Sequence, residues 1–79
     1  MDAFEYQLRT LIKYAQDRIT PHAFAMYQPE YVTVGYFDSN GGLHVLADAK
    51  NSVDVKHTFS ILYAQLNQRI REHNSGYEL

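Results

Sequence analysis

Apolar and polar positions along the chain change period twice. Over residues 2–19, Phe4, Leu8, Leu11, Ile12, Ala15 and Ile19 recur at helical spacing in one stripe, while Arg9, Lys13, Gln16 and Asp17 fall away from it. This predicts a helix over 2–19. Asp2 and Glu5, three apart, fit a capping box, Glu5 and Arg9 form an i,i+4 pair, and Pro21 disfavours a helical Thr20. A second stripe, Val55, Phe59, Leu62, Leu66 and Ile70, predicts a helix over about 52–73. Asn51 or Ser52 is its expected cap. Asp54 in the first turn and Arg69 and Arg71 in the last turns suit the helix dipole. Gly76 fits a helix stop, and "SGYEL", 75–79, reads as a frayed tail.

Between the helices the period falls to two. "VTVGYFDSNGGLHVLAD" is the clearest hairpin in the chain. Taking Asn40-Gly41 as a two-residue loop sets Phe37 opposite His44, Tyr36 opposite Val45, Gly35 opposite Leu46 and Val34 opposite Ala47. Gly41-Gly42 leaves room for a slip of one residue, which would reverse the faces of the third strand. "HAFAMYQ" predicts a further strand, and Pro29-Glu30 as its turn brings Phe24 opposite Gly35. The strands are thus expected at about 22–28, 31–38 and 43–48.

The expected architecture is α+β: a single small domain, 1–79, with a two-layer α-β-β-β-α order and an antiparallel three-stranded meander flanked by the two helices. With both helices on the Val32, Val34, Tyr36, Val45 side, small Ala23, Ala25 and Ala47 allow close approach. The other side then carries Phe24, Met26, Tyr31, Phe37, His44 and Leu46, an apolar patch of the kind that marks an interaction site. Val53, His57, Ile61 and Ala64, nearly opposite the core stripe of the last helix, form a second candidate surface. A three-layer arrangement, one helix on each face, is the alternative that would use up this apolar surface.

Composition narrows the function more than it identifies it. Seven Tyr and four Phe in 79 residues supply large contact areas, and no Cys is present to add disulfides or thiolate ligands. A chain this short has a thin margin of stability, which favours good interior contacts or association. Seven basic against nine acidic residues give −2, neither a nucleic-acid-binding balance nor that of a DNA mimic. "MDAFEYQLRT" lacks the apolar region of a signal peptide, and no run approaches a membrane span, so a cytoplasmic protein is expected. Four His occur without HxxH or HxxxH spacing or a placed carboxylate, so no metal or other cofactor is expected. Asp38 could pair with His44 in acid–base work, yet Asp-Ser-Asn-Gly is also what a hairpin turn requires. "SNGG" lacks the lysine and helix start of a phosphate loop, and no Ser or Thr has a placed base. A noncatalytic chain is the expectation.

The stretch "AKNSVDVKHTF", at the end of the sheet and the start of the last helix, is where the element order is similar to the double-stranded-RNA-binding domain. That resemblance covers topology and size, and implies lysines at this helix start that hold phosphates. Here Lys50 and Lys56 flank Asp54, and the basic cluster is missing. Tyr31 and Phe37 could stack single-stranded bases, the weaker alternative. The preferred reading is a small non-enzymatic interaction module: a homodimer, a binder of a protein target, or both. Regulators, inhibitors and adaptors are often of this size, and a phage- or plasmid-type inhibitor of a host complex would fit.

Overall fold

The computed structural model describes residues 3–77, with side chains described over 3–72. Helix α1 (Ala3–Arg18) is followed by strands β1 (Phe24–Tyr27), β2 (Tyr31–Phe37) and β3 (Leu43–Lys50) and by helix α2 (Val55–Tyr77). The strands form one antiparallel sheet in the order β1-β2-β3. The fold is α+β with α-β-β-β-α order, and both helices lie on one side of the sheet.

The core is the meeting of three apolar rows. Leu11 and Ala15 come from α1, Val32, Val34, Leu46, Ala47 and Ala49 from the sheet, and Phe59, Leu62 and Leu66 from α2. Val32 and Val34 are completely buried and share one face of β2 by the two-residue period, so the covered side of the sheet is the side they occupy. Ala47 and Ala49 sit opposite them on β3, and their small side chains bring α2 close. Where α1 meets α2 at the side, Tyr14 and Tyr63 contact edge to face, and the Tyr14 hydroxyl donates to Asn67 Oδ1. Burial and the neighbouring Tyr14 push the Tyr63 hydroxyl above the ordinary tyrosine range.

The helix ends differ from expectation. Asp54, not Asn51 or Ser52, caps α2: its Oδ1 accepts from the backbone N–H of Lys56 at 3.1 Å and of His57 at 3.4 Å. Ser52 acts one step earlier, with its Oγ accepting from Asp54 N–H at 3.1 Å. Buried Thr58 closes the same corner by accepting from Ser52 N–H at 3.2 Å. At the far end α2 continues through Ser75 and Gly76 to Tyr77, so Gly76 does not stop it. Asp2, the expected cap of α1, and the last residues of the tail, 78–79, lie outside the described residues.

Both sheet edges are touched by a glutamine from the helix above. Gln16 of α1 donates to the Ala23 carbonyl at 3.0 Å, just before β1. Gln65 of α2 both accepts from Asp48 N–H at 2.9 Å and donates to the Asp48 carbonyl at 2.8 Å on β3. An edge strand otherwise presents such groups as a template for another chain.

Candidate functional site: the open face of the sheet

The β2–β3 hairpin decides which side chains reach the uncovered face. The two-residue loop expected at Asn40-Gly41 needs positive φ at both positions, but only Gly41 has it, at 83°. The loop is instead Ser39-Asn40-Gly41. Gly41 N–H donates to the Asp38 carbonyl at 3.0 Å, and Asp38 N–H donates to the Gly42 carbonyl at 2.9 Å. The Asp38 carboxylate selects this form: Oδ1 accepts from Asn40 N–H at 2.9 Å and Gly42 N–H at 2.8 Å. Oδ2 meets His44 Nε2 at 2.7 Å. The bond to His44, followed by that from Gly42, holds the Asp38 carboxyl below its ordinary value, against a small opposing effect of desolvation.

The longer loop displaces the start of β3 by one residue. Phe37 now faces Leu43, Tyr36 faces His44 and Gly35 faces Val45. Val34 still faces Ala47, as the sequence implies, so Leu46 is the extra residue of a bulge between the two registers. Gly35 makes room for the strand beside that bulge: a Cβ there would run into the backbone carbonyl of His44.

Three expected placements are therefore reversed. Leu46, expected on the open side, is 8% exposed and belongs to the core. His44 lies on the Tyr36 side, its ring stacked on Tyr36 at 4.9 Å and tied to Asp38. Val45, expected in the core, is 43% exposed on the open face. Leu43, not singled out from the sequence, joins it at 42%. The signal for these two was the Gly41-Gly42 slip, which acts only as far as the bulge.

The open face has a gradient from one end to the other. Register places Phe37 with Leu43 nearest the turn, then Phe24, Gly35 and Val45, then Met26, Thr33 and Asp48, and last Tyr31 with Lys50. Phe24 lies opposite Gly35 as the sequence implies, and its ring stacks on Phe37 at 5.3 Å. Asp48 is bound on the surface by Thr33, whose hydroxyl donates at 2.9 Å. The turn end is thus apolar and the opposite end carries one acid and one base.

The second surface does not hold together. Val53 precedes α2 and is fully exposed in the connecting loop, not on the helix. Ile61 is half-buried and packs against the core. His57 and Ala64 are exposed on α2. His57 and Ile61 border a shallow hollow with Lys50, Asn51 and Ser52.

Other chemistry is sparse on these residues. His22 is exposed and lines a hollow with Thr20, Phe24, Tyr36, Phe37 and Asp38. Among the described residues there is no group of three or more His, Asp or Glu that could hold a metal ion. No helix among them is long and apolar enough to cross a membrane. Comparison with protein-family models, curated proteins and solved structures finds no match to this chain.

Proposed function

We propose that this chain is a non-enzymatic protein–protein interaction module, a regulator, inhibitor or adaptor, that engages a protein through the open face of its sheet. The observation that carries the reading is the continuous exposed surface of Phe37, Leu43 and Val45 beside Phe24 and Met26, on the side of the sheet no helix covers. Aromatic and Met side chains are the types enriched in contact surfaces, and charged ones are depleted at their centres. A nucleic-acid role has less support, because Lys50 is the one basic residue among the described paired positions of this face, with Asp48 two residues away.

The test is paired capture with an internal control. Wild-type protein and Phe37→Asp are compared for retention of any protein partner, a second copy included. Tyr6→Asp, at an exposed aromatic on α1, is the control. Phe37→Asp should keep its helical circular dichroism and lose the partner, and Tyr6→Asp should keep both. Equal retention by Phe37→Asp and wild type would defeat the reading.

A further inference from the structure

We infer that Asn40-Gly41 is a site of spontaneous covalent modification, where the Asn40 side-chain amide becomes an acid at a rate set by the hold of Asp38 on the loop. The chemistry needs no other protein. The backbone nitrogen of Gly41, once it gives its proton to solvent base, bonds to Asn40 Cγ and closes a five-membered imide. The Cγ–Nδ2 bond breaks and ammonia leaves. Water then opens the ring at one of its two carbonyls. Opening at Cγ leaves aspartate. Opening at the backbone carbonyl leaves isoaspartate, with the chain running through the former side chain. One water is consumed and one ammonia released.

The asparagines are not equal before this reaction. Three have described side chains. Asn67 lies within α2, accepts from the Tyr14 hydroxyl and is followed by Gln68. Asn51 Nδ2 donates to the Tyr27 hydroxyl at 3.2 Å, and Ser52 follows it. Asn40 is exposed, its side-chain amide makes no hydrogen bond among the described residues, and a glycine follows. Glycine has no side chain to shield its nitrogen. Beyond its chain neighbours, no atom lies within 4 Å of where a Cβ of Gly41 would stand, so solvent base reaches this peptide bond.

The same loop supplies the restraint. Gly41 N–H already donates to the Asp38 carbonyl at 3.0 Å. The amides on either side, Asn40 N–H and Gly42 N–H, are both held by Asp38 Oδ1. To attack, the Gly41 nitrogen must shed its bond and its peptide must turn, and a nearby carboxylate opposes loss of a proton there. Conversion then undoes the loop. Isoaspartate adds one backbone atom between Ser39 and Gly41, whereas the closing bonds between Asp38 and Gly41-Gly42 are made over the shorter path. Either product adds a carboxylate two residues from Asp38. Phe37 and Leu43, the first pair beyond the loop, lose their clamp.

The experiment is incubation of the folded protein in mildly alkaline buffer, then digestion and mass spectrometry, with isoaspartate read by enzymatic methylation. Wild type, Asp38→Ala, His44→Ala and Asn40→Gln are compared, with wild type in urea as the open-loop limit. Cleavage after Arg18 and Lys50 gives a peptide in which Asn40 is the only asparagine. Wild type should convert at Asn40 before Asn51 or Asn67. Asp38→Ala should speed conversion at Asn40 several-fold and leave Asn51 unchanged. His44→Ala, which spares the two amide bonds of Asp38, should give a smaller increase. Asn40→Gln, whose longer side chain has to close a six-membered ring, should stay unconverted at that position. No acid at Asn40 in folded wild type while the urea sample converts overturns the site. Equal rates at Asn40 in wild type and Asp38→Ala overturn the restraint, as does an increase that Asn40 and Asn51 share, which reports global unfolding.

Discussion

On β2, Val32 and Val34 are sealed beneath the helices, while Tyr31 and Phe37 on the same strand stand 43% and 54% exposed. The covered face carries Val32, Val34, Ala47 and Ala49, with the larger Leu46 and Tyr36 toward the turn end, opposite Leu11, Phe59, Leu62 and Leu66 of the helices. The open face uses Phe, Met, Tyr, Leu and Val with nothing above them. Period two explains why one strand can serve both faces. What separates them is cover: Ala47 and Ala49 let α2 approach one side, and no described helix packs on the other.

The sharpest way to test this contrast is the same truncation on each side. Leu62 is fully buried, and Leu62→Ala should cost about 2–5 kcal/mol. Leu43 is 42% exposed. Leu43→Ala, measured by denaturant unfolding where the chain is a monomer, should stay within about 0.5 kcal/mol. Comparable losses would mean that the open face is part of the folding core.

A smaller effect should come from the residue that lets the two registers meet. Gly35→Ala places a methyl group against the His44 carbonyl, a backbone atom that cannot swing aside. It should cost about 1–3 kcal/mol, as overpacking does, and amide exchange should quicken around Val45 and Leu46. A neutral outcome would mean that β3 can straighten there, which would return Val45 to the covered side.

The least effect, visible as a pH dependence, belongs to the turn. Asp38 has its carboxyl held below the ordinary value by His44 and the turn amides. A carboxyl with a lowered folded pKa stabilises at pH above its unfolded value, and this is lost as pH falls through the folded one. The gap in thermal midpoint between wild type and Asp38→Asn should therefore narrow as pH drops below the ordinary aspartate range. A gap that stays constant into strong acid would mean that the carboxylate does not hold the loop.

Much of the fold was legible because it follows from local rules. The stripe of α1, the Pro29-Glu30 turn and the pairing of Phe24 with Gly35 need only periodicity and one turn residue, and Gln28 N–H does donate to the Tyr31 carbonyl across that turn. The start of β3 was not legible, because two loop forms compete on Asp-Ser-Asn-Gly-Gly. The choice falls to three bonds made by one side chain, Asp38. A period-two pattern read inward from the wrong loop assigned His44, Val45 and Leu46 to the wrong sides, and the bulge then hid the error by restoring Val34 to Ala47. By type Asn51, Ser52 and Asp54 are equally good caps, and only the tertiary arrangement, in which Asp54 Oδ1 accepts from Lys56 and His57 N–H, separates them.

The single amide of Gln65 on Asp48 bears on how many chains can assemble. Growth through a bare strand edge is open-ended, since every added chain brings a fresh edge and the product is a fibre. A face, once paired, is consumed. By engaging the backbone groups of Asp48, Gln65 withdraws that residue of β3 from such growth.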